Sequence, residues 1–86
     1  VRSVKFKARV EVKLKPGFFD PEGEATKGAL NDLGYRVHIV RVSKVYYIDF
    51  EAPSLDDAKR LVDEMCRRLL ANPTKDVYEV EVQPSD

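Results

Sequence analysis

Residues 4 to 14 alternate without a break, and that alternation constrains the fold more than any other stretch. Val4, Phe6, Ala8, Val10, Val12 and Leu14 fall on one side, and Lys5, Lys7, Arg9, Glu11 and Lys13 on the other. A period of two held this long describes a strand with one buried face. The rest of the chain must therefore supply an apolar cover for it. Lys15-Pro16-Gly17 ends the strand, and Phe18-Phe19 leads to Asp20-Pro21. There Asp20 is a good helix N-cap, and Pro21 fits the first helical position, where its missing N–H costs nothing. Ala25, Ala29, Leu30 and Leu33 form one helical stripe, and Gly34 closes the helix.

Two short strands are predicted next, about residues 36–42 and 45–52, with Ser43-Lys44 at the turn. Val37 and Ile39 oppose Val40 and Val42, and Val45 and Tyr47 oppose Tyr46, Ile48 and Phe50. Parts of both faces therefore want cover, and the helices can cover only one. Pro53 breaks the strand, and Ser54 with Asp57 reads as a capping box with Asp in place of Glu. A helix from about Leu55 to Ala71 buries Ala58, Leu61, Val62, Met65 and Leu69, with Cys66 beside them. Asn72, able to adopt the left-handed conformation, and Pro73, unable to continue a helix, form its stop. A last strand, about Val77 to Val82, carries Tyr78, Val80 and Val82 on one face, and Gln83-Pro84-Ser85-Asp86 reads as a frayed tail. The order β-α-β-β-α-β predicts an α+β, ferredoxin-like split βαβ fold, with a four-stranded antiparallel sheet and two helices on one face.

Eighty-six residues make one domain, 1–86. A chain this small buries only about 60% of the surface its unfolded form exposes, so its stability is thin without help. One cysteine forms no internal disulfide and no cysteine-based zinc site, which leaves oligomerisation as the expected help. Fifteen acidic residues balance fifteen basic ones, which argues against a nucleic-acid partner, because such domains usually carry a net basic field. No apolar run approaches the roughly 20 residues of a membrane span, and Val1-Arg2-Ser3-Val4-Lys5 lacks a signal-peptide core. The expected location is cytoplasmic, with no membrane partner.

Catalytic chemistry finds little to work with. His38, the only histidine, has no oriented partner or nucleophile in view and reads as an ordinary strand residue. Cys66 lies among apolar helix positions and reads as a small hydrophobe rather than a reactive thiol. The pairs Asp56-Asp57 and Asp63-Glu64 read as a dipole match and a solvated face. The row Lys5, Lys7, Arg9, Lys13 and Lys15 is the feature most open to a functional reading. The third strand lacks the glycines of an RNA-recognition motif, so the row reads as a docking face for a protein. No catalytic, cofactor or metal site is expected.

Several pieces, weak singly, recur in order along nearly the whole chain. They are Val12-Lys13-Leu14-Lys15, Asp20-Pro21-Glu22-Gly23, Ala29-Leu30, Leu33-Gly34-Tyr35, Arg41-Val42-Ser43-Lys44, Ala58, Met65-Cys66, Leu69-Leu70-Ala71-Asn72-Pro73, and Asp76 with Tyr78-Glu79-Val80. In this order and spacing the chain resembles the PurS family, small non-catalytic subunits of phosphoribosylformylglycinamidine synthase in purine biosynthesis. Two departures stand out. Ser43 occupies a position where the family usually has Gly. Thr74-Lys75-Asp76 follows Asn72-Pro73 in place of an aliphatic pair and Glu.

The resemblance implies a role in assembling a glutaminase subunit and an ATP-dependent synthetase subunit and in supporting ammonia transfer between them. It also implies a homodimer or dimer-based oligomer and no chemistry of the subunit's own. On this reading the contact residues are at turns and helix ends: Asp20, Pro21, Gly23, Arg41, Lys44, Asn72, Pro73 and Tyr78. The alternative is a dimeric small-molecule-binding regulatory domain of the same fold order, which would need a glycine-rich first loop; Pro16-Gly17 is a poor version of one. An acylphosphatase-like hydrolase would need an arginine where this chain offers Asp20.

Overall fold

The computed structural model describes residues 3–85; Val1, Arg2 and Asp86, the end of the tail read above as frayed, lie outside the described residues. The alternating segment forms strand β1 (Val4–Leu14), and the Asp-Pro start opens helix α1 (Pro21–Asp32). Strand β2 (Lys44–Ala52) leads through Pro53 into helix α2 (Leu55–Met65), and strand β3 (Asp76–Pro84) closes the order. β1 lies in the middle of a three-stranded antiparallel sheet, order β2-β1-β3. Its even-numbered residues Phe6, Ala8, Val10 and Val12 are all buried, as the period of two requires. α2 covers them with Ala58, Val62 and Cys66, each fully buried.

Local chemistry sets the helix ends. Asp20 accepts the Gly23 N–H at 2.8 Å and starts α1. Gly34, at φ +100°, ends it: Tyr35 N–H bonds the Leu30 carbonyl and Gly34 N–H the Asn31 carbonyl, a Schellman closure. Ser54 Oγ accepts the Asp57 N–H at 3.2 Å, capping α2, while its hydroxyl donates to the Asp57 carboxylate.

Three expectations are corrected. α2 does not end on a left-handed Asn72; no described non-glycine residue has a positive φ. A π-helical turn, Cys66–Leu70, widens the helix so that Ala71 N–H reaches the Cys66 carbonyl at 2.9 Å. The chain is already extended at Ala71, and Asn72 instead accepts the Thr74 N–H and shapes the following turn. The tail is not frayed through Pro84, which belongs to β3, and Ser85 N–H bonds the Lys5 carbonyl at 2.9 Å.

The third correction concerns the sheet, which has three strands within the chain rather than four. Residues 35–43 form no strand, and Lys44 begins β2 rather than making a tight turn. Without that turn the 36–42 segment cannot fold back on β2. It runs beside α1 instead, pinned to it by side chains. Asp20 Oδ2 accepts the Val42 N–H at 2.8 Å, and the Asn31 amide bonds both the N–H and the carbonyl of Val37. The stripe expected to face the sheet is open: Ala25 and Ala29 are exposed, and Leu33 is 75% exposed. The radius of gyration is 17.0 Å, against about 12 Å for a compact domain of this length. α1 and residues 35–43 thus form an arm beside a small sheet-and-helix body.

At Gly23 the helix backbone and the segment meet so closely that a Cβ would lie 2.2 Å from the Val40 carbonyl oxygen. Gly28, in the same helix, has nothing within 4 Å of that position. Gly28→Ala should stabilise α1 by about 0.4–1 kcal/mol, whereas Gly23→Ala should part helix and segment. Amide exchange of Val37 and Val42 is the readout: slowed or unchanged in the first variant, accelerated in the second. Equal protection in both would contradict the close approach.

Candidate functional site

The base of the arm meets the end of the sheet in a cleft of about 240 Å³. Asp20, Pro21 and Glu22 enter it from the start of α1, Ser43 and Lys44 from the start of β2, and Lys75 and Asp76 from the start of β3. An adjoining recess adds Arg41 and Glu11. Three strand ends and a helix start converge here because β1 pairs on both sides and its last residues, Lys13 and Leu14, reach the same edge.

Asp20 organises the cleft. One carboxylate oxygen takes the Gly23 N–H and the other the Val42 N–H, and these bonds hold its carboxyl below the usual carboxylate range, with Arg41 adding a smaller electrostatic pull. Across β1, Lys15 Nζ donates to the Pro73 carbonyl at 2.9 Å, and Lys15 N–H bonds the Lys75 carbonyl. Asp76 accepts the Asn72 N–H at 2.9 Å, so the acid that follows Asn72-Pro73 closes its own turn.

Of the eight residues singled out from the sequence, Asp20, Pro21 and Lys44 line this cleft and Arg41 its adjoining recess. Gly23 supports it from behind, through the close approach to Val40. Asn72 and Pro73 sit in the turn held by Lys15 and Asp76. Tyr78 is apart: its hydroxyl donates to Asp63 Oδ1 on α2 at 2.7 Å. Sequence reasoning missed Glu22, Lys75 and Asp76 as neighbours of Lys44. The register was the missing signal, since Asp76 pairs with Leu14 and Lys44 with Val12, two positions apart on β1.

Lys13, Arg41, Lys44 and Lys75 stand against Glu11, Asp20, Glu22 and Asp76, four charges of each sign. This arrangement offers paired charges to a complementary protein surface rather than a cradle for an anion. Among the described residues no three His, Cys, Asp or Glu side chains are grouped to hold a metal ion. Cys66 is fully buried, and burial raises its thiol pKa, the wrong direction for a nucleophile. His38 is exposed on the arm.

The basic row on β1 is answered by acids. Lys5 pairs in register with Glu51, Lys7 with Asp49 and Arg9 with Glu81, and Lys13 lies 3.5 Å from Glu79. The outer sheet face is therefore largely paired charge and not a basic strip, with Glu11 set opposite Glu79. No described helix is long and apolar enough to cross a membrane.

The Tyr78–Asp63 bond lowers the Asp63 pKa, with Arg67 assisting, and raises that of Tyr78. Asp63 thus contributes stability above its unfolded pKa, and that contribution drains as pH falls through the folded value. Tyr78 contributes below its unfolded pKa and loses the contribution as pH rises through its folded one. Tyr78→Phe should raise the Asp63 midpoint in a carboxyl NMR titration, lower stability at neutral pH and shrink the loss of stability on acidification, leaving Asp20 unmoved. An unchanged Asp63 midpoint would contradict the bond.

The family model described as PurS, phosphoribosylformylglycinamidine (FGAM) synthase, matches residues 7–84. The phosphoribosylformylglycinamidine synthase subunit PurS of Archaeoglobus fulgidus is 50% identical over 74 residues, covering 85% of this chain and 92% of that protein. The crystal structure of Methanocaldococcus jannaschii PurS, a subunit of formylglycinamide ribonucleotide amidotransferase in the purine biosynthetic pathway, superposes with a TM-score of 0.81. It is 39% identical, and the match covers 94% of this chain and 99% of that one. A chain from the structure of PurLQS from Thermotoga maritima superposes at 0.80 with 30% identity, covering 92% and 98%.

Proposed function

The chain belongs to the PurS family, the subunits of phosphoribosylformylglycinamidine synthase in purine biosynthesis, and from that premise we propose how it serves the complex. It acts as a non-catalytic assembly subunit that bridges the synthetase and glutaminase subunits and supports the passage of ammonia between them. The observation that carries this reading is the cleft at the arm base, where eight balanced charges surround backbone fixed by Asp20. The resemblance to a chain of the Thermotoga PurLQS structure supports the same direction.

In this reading Asp20, Pro21, Arg41 and Lys44 form one contact patch, with Asn72 and Pro73 on its rim and Gly23 holding its frame. Tyr78 fixes α2 to β3 and contacts partners only through that scaffold. The neutralised outer sheet face supports a protein partner over a nucleic acid. A cytoplasmic location is part of the proposal and rests on the pathway the family serves.

A homodimer, or an oligomer built from dimers, completes the proposal. It is supported by the exposure of Leu33 (75%), Ile39 (71%) and Leu69 (83%), more large apolar surface than so small a monomer usually leaves in water.

The test is reconstitution with the synthetase and glutaminase subunits of the same genome. Glutamine-dependent synthesis should collapse without this chain, while synthesis from added ammonium survives; indifference of both reactions would overturn the reading. Lys44→Ala should leave the thermal melt unchanged and weaken complex formation about tenfold, roughly 1.4 kcal/mol. Unaltered binding would remove Lys44 from the patch.

A further inference from the structure

We infer that the outer edge of β3 takes a strand from a protein partner, an extended segment in which basic residues alternate with apolar ones. The inference stands on the sheet edge alone, away from the cleft at the arm base, and goes beyond the assembly role proposed above.

The hydrogen-bond pattern fixes which groups this edge offers. β3 is the last strand on its side of the sheet, and among the described residues no strand lies beyond it. In an antiparallel pair, bonded and non-bonded residue pairs alternate. Lys15 N–H bonds the Lys75 carbonyl at one end of the β1–β3 ladder, and Ser85 N–H bonds the Lys5 carbonyl at the other. Both keep the register of Lys13 with Val77 and Lys7 with Gln83, so the odd-numbered residues of β3 turn their backbone groups toward β1. The N–H and carbonyl groups of Tyr78, Val80 and Val82 therefore point outward from the edge, a row of donors and acceptors at strand spacing. Pro84 interrupts the row only at its end, and no proline stands between residues 77 and 83 to block pairing from outside.

The side chains set the pattern of the incoming strand. On the inner face Val80 and Val82 are half-buried, and with Tyr78, Lys59 and Asp63 they line a recess of about 280 Å³ between α2 and the edge. A residue seated opposite Val80 sends its side chain into this recess. The two valines suit an aliphatic group there, and the Lys59 ammonium repels a cation. On the outer face the flanking residues are Glu79 and Glu81, both exposed. Their charge is not fully met within the sheet. Glu11, Glu79 and Glu81 share Arg9 and Lys13: Arg9 lies 3.6 Å from Glu11 and opposite Glu81, and Lys13 lies 3.5 Å from Glu79. The unmatched acid favours basic side chains on the new strand, and a period of two puts them on this face when apolar ones fill the other.

A second copy is the wrong occupant. Antiparallel pairing of two β3 strands about Val80 would set Glu79 of each opposite Glu81 of the other, like charges facing across the strands. A nucleic acid is excluded by the same acids, and the outward backbone row calls for another peptide backbone.

The test uses the isotopically labelled chain and two end-blocked peptides, Thr-Lys-Val-Lys-Val-Lys-Thr and its counterpart with Glu in place of each Lys. Amide exchange of β3 is followed as each peptide is added up to millimolar concentration. The Lys peptide should slow exchange at Tyr78, Val80 and Val82 roughly tenfold or more and leave Val77, Glu79 and Glu81, already turned to β1, unchanged. The Glu peptide should bind roughly tenfold more weakly. Glu79→Gln combined with Glu81→Gln, both at exposed positions, should fold as before and remove most of that difference. Protection by neither peptide, or protection only along β2, would overturn the inference and leave the two glutamates as guards of an unused edge. Equal binding of both peptides to the unaltered chain would overturn the basic partner. Slowing of the same amides on concentrating the chain alone would make the occupant a second copy, and the inference would again fall. Because the probe is a peptide on the isolated chain, each of these outcomes is independent of the reconstitution that tests the assembly role.

Discussion

The Asp20 carboxylate decides the shape of this molecule. Its two oxygens take two backbone N–H groups, Gly23 at the start of α1 and Val42 just before β2, both at 2.8 Å. One bond starts a helix; the other ties that helix to the chain 22 residues on. A neutral cap would satisfy the first and leave the second, and a longer acid would not sit inside the turn. Because Gly23 lets the Val40 carbonyl approach, the tie is short and the arm is stiff at its base. The consequence is structural: a helix and a strand-forming segment stand together beside the sheet rather than folding over it. The same tie shapes the cleft, for the fixed base is where charges from three strand ends gather beside Lys44.

The remainder of the fold is a small body stabilised in ordinary ways. β1 runs between two partners and buries four side chains against α2. With so short a core, burial on this scale leaves little surplus over the entropy of ordering the chain. The outer sheet face carries mostly matched charges, with Glu11 set opposite Glu79; the inner face is half covered, and Cys66 is buried. Membership of the PurS family gives those surfaces a setting, the phosphoribosylformylglycinamidine synthase of which PurS is a subunit.

Much of this was legible in the residues because the deciding chemistry is local. Alternation fixed β1 to the residue, Asp20-Pro21 and Ser54 with Asp57 marked both helix starts, and Gly34 marked a stop that only a positive φ could make. What was not legible lies between elements. Residues 36–42 have the composition of a strand, but composition does not say whose edge they meet, and within the chain they meet none. The apolar stripe of α1 says that something covers it without saying what. Asn72 was misjudged because a π-helical turn closed α2 before a left-handed residue was needed. Tyr78 stands among the contact residues through the family resemblance, and the residues alone did not show that its hydroxyl bonds Asp63 on α2. In the cleft, Lys44 and Asp76 became neighbours only through a register that spacing alone does not give.

The central claim is that α1 has no cover within its own chain, a cover that the proposed dimer would supply. Amide exchange across α1, followed over a dilution series of the wild-type chain, tests this most directly. The account predicts that protection of residues 25–33 falls as the protein is diluted, while protection of β1 holds to lower concentration. Protection of α1 that is independent of concentration and equal to that of β1 would contradict it, because the helix would then be supported from within its own chain.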